Sequence, residues 1–127
     1  AEFAAAFTVA SANEVTSAIG FFEDGATIST EADQYAVVYS DGTNFKLAGN
    51  AAAMATGPVI ATTWALWKIV LQFNGALGPN VYAYRNGVIF SRTAGVGALD
   101  EFPLRFGMHS LTTNRQGLGP VHIYYDW

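Results

Sequence analysis

The chain has 127 residues, of which 51% are hydrophobic, 14% aromatic and 13% charged; it has no cysteine, and 6 Lys+Arg against 10 Asp+Glu give a formal net charge of −4. That length and apolar content fit one domain with its own core, and the missing cysteines exclude a disulfide framework, a thiolate metal site and a cysteine nucleophile. The acidic balance has the wrong sign for a phosphate-backbone binder, so nucleic acid is not an expected partner.

No apolar run approaches the roughly 18 residues of a membrane helix, because Lys68, Gln72 and Asn74 interrupt the longest candidates. A soluble protein without membrane insertion is therefore expected. Glycine, asparagine and proline recur about every 8 to 12 residues between short runs rich in Val, Ile, Tyr, Phe, Trp and Thr, the spacing of an all-β sandwich or barrel. In chain order, strands are predicted at Phe3–Ala10, Ser17–Glu23, Tyr35–Ser40 and Asn44–Leu47. The alanine-rich Ala48–Ala55 has helical propensity but is too short to stand alone, and reads as a loop or one helical turn. Further strands follow at Val59–Thr62, Leu66–Asn74, Asn80–Arg85, Val88–Arg92, Pro103–His109 and Val121–Asp126. Asp41-Gly42 and Asn86-Gly87 carry hairpin turn chemistry, the second pair fitting the positive φ angles of a type I′ turn. With a looped connection over Asn74–Pro79, the stretch from Trp64 to Arg92 becomes a three-stranded meander. Gly95–Gly97 and Gly117–Pro120 lack a following helix and a lysine, and so read as turns, not phosphate loops.

Alternation along the strands divides core from surface. Trp67, Ile69, Leu71 and Phe73 share one face, with Leu66, Lys68, Val70 and Gln72 on the other. Val81 and Ala83 alternate with Tyr82 and Tyr84; Leu104, Phe106 and Met108 with Arg105, Gly107 and His109; Val121, Ile123, Tyr125 and Trp127 with His122, Tyr124 and Asp126. The polar sides together predict a half-wet sheet face bearing Lys68, Gln72, Tyr82, Tyr84, Arg105, His109, His122, Tyr124 and Asp126. One reading of that face is ordinary solvated sheet, with cross-strand pairs supporting the strands. The other is a contact surface for a ligand or a neighbouring subunit, because Tyr combines apolar area with one polar atom.

The run from Trp64 to Asn74, followed by Val81 to Val88 with its Tyr84-Arg85-Asn86-Gly87, resembles the central signature of concanavalin A-like jelly rolls of the laminin-G and lectin/glucanase type. Phe106-Gly107-Met108 and the closing Val121–Trp127, which contains the acidic Asp126, are similar to the last strands of that group. The likeness covers the second half of the chain and implies an antiparallel jelly-roll sandwich. That fold serves lectins, glycosidases, adhesive modules and virion appendages, so it does not choose among functions. The low charge and the non-methionine start are also similar to β-sandwich domains of phage tails and capsids, and Ala1-Glu2-Phe3 reads either as a cloning scar or as the cut end of a longer chain.

Glycosidases of the group carry carboxylates at alternate positions of one strand, which places nucleophile and acid/base on one face. Here Glu31-Ala32-Asp33 is the nearest approach and lacks the third member, while Glu23-Asp24 and Asp100-Glu101 are adjacent and would point to opposite sides. There is no Gly-x-Ser-x-Gly elbow. His109, His122 and Asp126 are the residues a metal would use if their strands lay side by side, but two histidines on a polar face are the preferred reading. Asp24, Asp33, Asp41 and Asp100 lie in expected loops without the dense spacing of a calcium loop. No cofactor, metal or catalytic residue is therefore expected. The reading that follows is a non-enzymatic virion surface module, a phage decoration or tail-appendage domain that holds neighbouring subunits or its own copies and attaches to host glycans. Its alternative is an extracellular carbohydrate-binding module of a secreted bacterial protein.

Overall fold

The computed structural model describes residues 2–9, 15–22, 34–49, 52–73, 79–93, 105–110 and 116–124. They form β1 (Glu2–Val9), β2 (Val15–Phe22), β3 (Gln34–Asp41), β4 (Asn44–Gly49), β5 (Ala52–Val59), β6 (Ala65–Phe73), β7 (Pro79–Arg85), β8 (Val88–Thr93), β9 (Arg105–Ser110) and β10 (Gln116–Tyr124), with no helix among the described residues. Two five-stranded antiparallel sheets result, ordered β10-β1-β6-β7-β8 and β5-β4-β3-β2-β9. The all-β sandwich expected from the turn spacing is the fold, and the chain passes between its sheets after β1, β5, β8 and β9.

Each sheet turns one apolar face inward. From the first come Phe3, Ala5, Phe7 and Val9 of β1, Trp67, Ile69 and Leu71 of β6, and Val81 and Ala83 of β7. The second contributes Ile19, Phe21, Ala36, Val38, Phe45 and Leu47, with Phe106 and Met108 of β9 packed against them. Rings bolt the layers together. Phe3 meets Phe21 edge-on at 5.5 Å and Phe106 at 4.9 Å, while Trp67 packs on Phe45 at 4.6 Å and edge-on against Phe90 at 5.8 Å. Full burial of each such ring stabilises the fold by about 1.5–3 kcal/mol. The second sheet is apolar on its outer side too: Ala18, Phe22 and Val37 are buried there, with Tyr39 against them.

Both expected hairpin turns form. Asn86 and Gly87 have φ of 51° and 81°, the positive pair of a type I′ turn between Arg85 and Val88. At the other, Gly42 has φ of 92°, and Asp41 Oδ1 accepts hydrogen bonds from the Thr43 and Asn44 amides at 2.9 and 2.7 Å. Asp41 also pairs with Lys46 at 2.6 Å. The Asn44 amide, then the Lys46 ammonium, hold the Asp41 carboxyl down at about 2. Where the β2–β3 register slips between Val15 and Ala18, the Ser40 hydroxyl stands in for the ladder, accepting from the Ser17 amide at 3.2 Å.

Three expectations are corrected. Within Ala48–Ala55, expected as a loop or helical turn, the described residues are strand: β4 runs to Gly49 and β5 starts at Ala52, paired Gly49↔Ala52, Ala48↔Ala53 and Leu47↔Ala55. Pairing with an existing strand outweighs the few tenths of a kcal/mol per residue by which alanine prefers a helix. Val59–Thr62 is the end of β5 and the bend after it, not a strand of its own. Gly117–Pro120, expected as a turn, belongs to β10. There Ala5 faces Val121 and Phe7 faces Leu118, so Gly119 and Pro120 together oppose Ala6 in a bulge. A bulge is where a strand tolerates a residue without an amide proton.

Candidate functional site

The outer face of the first sheet is assembled from small residues in the middle and rings at the sides. Glu2, Ala4, Ala6 and Thr8 alternate with the buried positions of β1. Register places Tyr124 opposite Glu2 and His122 opposite Ala4 on one flank. On the other flank Val70 lies opposite Glu2 and Lys68 opposite Ala4, and beyond them Tyr82 and Tyr84 on β7. Because these positions share the parity that points away from the core, Lys68, Gln72, Tyr82, Tyr84, His122 and Tyr124 lie on one surface, as expected.

Pairwise contacts fix the rings. The Tyr82 hydroxyl donates to Gln72 Oε1 at 3.3 Å, and the Arg92 guanidinium lies 5.5 Å from the Tyr82 ring centre. Lys68 Nζ stands 5.8 Å from the Tyr84 ring centre and 3.5 Å from Glu2 Oε2. Each contact is partly exposed and contributes a fraction of a kcal/mol to at most about 1 kcal/mol. Their effect is to orient the rings. Between them a shallow depression of about 240 Å³ is lined by Ala4, Leu66, Lys68, Tyr84 and Gly87. It exists because Ala4 has only a methyl group and Gly87 no side chain, next to larger neighbours. The Leu66 wall is held by Asn86, whose amide donates to the Leu66 carbonyl at 2.7 Å while its Oδ1 accepts from the Leu66 amide at 2.8 Å.

The expected face is not whole. Arg105 and His109 lie on β9, which pairs with β2 in the second sheet, opposite Phe22 and Ala18. His109 and His122 are therefore on strands of different sheets, which removes the side-by-side arrangement a shared metal would need. Alternation identifies a side of a strand but not the sheet it joins, and the chain changes sheet between β9 and β10. Asp126 lies outside the described residues, as do the carboxylate pairs Glu23-Asp24, Glu31–Asp33 and Asp100-Glu101.

One residue of this face had not been singled out. Trp64, just before β6, is 57% exposed, and its indole lies across the glycines of β10. A Cβ at Gly117 would stand 2.7 Å from Trp64 Cη2, and one at Gly119 2.9 Å from the Ala6 methyl and 3.6 Å from Trp64 Cζ3. The segment before it is pinned by buried Ile60, whose amide donates to the Thr43 carbonyl at 3.0 Å, and by the Thr8 hydroxyl, which donates to the Thr62 carbonyl at 2.9 Å. The available signal was the spacing of small residues: Ala4-x-Ala6 and Gly117-x-Gly119 each keep one face of a strand flat. Flat apolar faces with hydrogen-bonding groups around them are the equipment of recognition. Comparison with protein-family models, curated proteins and solved structures finds no match for this chain.

Proposed function

We propose that the chain is a non-enzymatic recognition module that holds a carbohydrate on the outer face of the first sheet. The observation that carries this reading is the depression between Lys68, Tyr84 and Leu66, with Ala4 at its floor. It offers an aromatic edge, a methyl floor and polar neighbours at the scale of one or a few sugar rings. The likeness of Trp64–Val88 and the closing strand to concanavalin A-like domains of the lectin type supports the same reading, as an analogy of fold. A glycan array tests it: wild-type protein gives hits, Tyr84→Ala abolishes them while thermal unfolding is unchanged, and a blank array refutes it.

A second reading, contact between subunits on a virion surface, is favoured by one feature. Beside the depression, Leu66 is 51% and Ile89 47% exposed, an apolar pair on the outer face at the Asn86-Gly87 end of the sheet. Light scattering of the isolated protein separates the two. An oligomer dispersed by Ile89→Lys supports subunit contact, and a monomer at high concentration counts against it.

A further inference from the structure

We infer that Trp64 and the Ala4–Tyr84 depression are two subsites of one path, running diagonally across β1 and β6, for a neutral oligosaccharide. This rests on the carbohydrate reading and adds the primary contact, the ligand's minimum extent and its charge.

The seat of Trp64 comes first. The outer edge of its six-membered ring, Cζ2, Cη2 and Cζ3, lies on Gly117 and Gly119, which approach so closely that a methyl group at Gly117 would stand 2.7 Å from the ring. The residue nonetheless stays 57% exposed. A large planar apolar surface, backed by sheet and edged by Thr8 and the β10 backbone, matches the C–H face of a pyranose, whose hydroxyls then point sideways to water or polar groups.

Extent follows from the register. Ala65 pairs with Phe7, so Trp64 stands level with Thr8, while Tyr84 is level with Lys68, four residues along β6. The indole reaches over β1 to β10, and Tyr84 lies on β7 on the far side of β6. At about 3.3 Å per residue and about 4.8 Å per strand, the two rings lie on the order of 15 Å apart. One sugar ring does not touch both, but a short chain does. Between them lie Ala6, Leu66 and Ala4, whose outward side chains present only carbon. Charge sets the class. Lys68, the cation lining the depression, is already paired with Glu2 at 3.5 Å, so an anionic sugar would have to displace a carboxylate.

The test uses the intact chain and soluble glucose, N-acetylglucosamine, galactose and mannose oligosaccharides from mono- to hexasaccharide, followed by calorimetry and tryptophan fluorescence. In at least one series, affinity is expected to rise about tenfold or more from monosaccharide to the longer members. Trp64→Ala should lower affinity for the long members about tenfold or more with the melting temperature held, and Trp64→Tyr should retain most of it. Gly117→Val should give the same loss with Trp64 still present, by lifting the ring from its seat. If Tyr84→Ala abolishes binding while Trp64→Ala and Gly117→Val leave it intact, or if a monosaccharide binds as tightly as a hexasaccharide, the two-subsite path is wrong and the carbohydrate reading survives. If wild-type protein binds no series, both fall. Tighter binding of uronic-acid oligosaccharides than of neutral ones overturns the charge assignment.

Discussion

Two tryptophans of this chain sit in opposite environments, and truncating each in turn tests how the sandwich is held. Trp67 is 1% exposed, packs on Phe45 of the other sheet and on Phe90 of β8, two strands away in its own sheet, and carries the Arg85 guanidinium 5.4 Å from its ring centre. Removing a buried ring of this size costs about 3–5 kcal/mol through lost transfer and the cavity left behind. The two ring contacts place Trp67→Ala at the upper end of that range, since each contributes about 0.5–1.5 kcal/mol beyond its buried area. At about 0.05–0.15 kcal/mol per residue, 127 residues supply about 6–19 kcal/mol in total. Trp67→Ala therefore leaves a weakened or unfolded chain, and Trp67→Phe, with an expected loss of about 2 kcal/mol, keeps the measurement possible in either case. Trp64→Ala, at 57% exposure, should cost under about 1 kcal/mol. Equilibrium urea unfolding followed by far-ultraviolet circular dichroism reads all three. A loss below about 1.5 kcal/mol for Trp67→Ala, or one for Trp64→Ala as large as that for Trp67→Ala, would refute the packing described for both residues.

Two further predictions concern the turns. Asp41 is held at about 2 against its ordinary 3.8, so in the acid range the unfolded chain binds the extra proton. Its stabilisation is complete above the unfolded value and disappears as pH falls through about 2. Melting temperatures of wild type and Asp41→Asn should differ at about pH 6 and converge between about pH 4 and about pH 2, and a gap independent of pH contradicts this. At Asn86 the left-handed φ and the side-chain bond to the Leu66 amide act together. Asn86→Gly should cost about 1 kcal/mol by losing the bond alone. Asn86→Ala should cost about 1–2 kcal/mol more by adding backbone strain. Urea midpoints that place Ala above Gly would contradict the turn geometry.

What alternation could reveal, it revealed. Trp67, Ile69 and Leu71 are buried and Lys68 and Gln72 face out because a period of two dictates sides irrespective of partners. Asn86-Gly87 was legible for a local reason too, since few pairs tolerate two positive φ angles. The low charge also has a structural counterpart: on β2 and β3, Ile19, Phe21 and Val38 are buried on the inner side and Ala18, Phe22 and Val37 on the outer. Partner choice was not legible. Arg105 and His109 carry the right parity but join the other sheet, because that choice is made by pairing between β9 and β2, far apart in the chain. The same holds for Ala52–Val59, a strand only because β4 offers an edge. Trp64 marks the opening of a strand in the sequence but not a place on this face, because its seat depends on two glycines more than fifty residues away.

The proposed recognition of a ligand by the outer face of the first sheet is open to a single titration: backbone and side-chain NMR shifts of the labelled protein with a neutral oligosaccharide that scores on the array. Perturbations are expected to cluster on Ala4, Ala6, Trp64, Leu66, Lys68, Tyr84 and the Gly117–Gly119 stretch, with β2 to β5 unmoved. Perturbations centred on the second sheet instead, with Trp64 and Tyr84 unshifted at saturation, would contradict it.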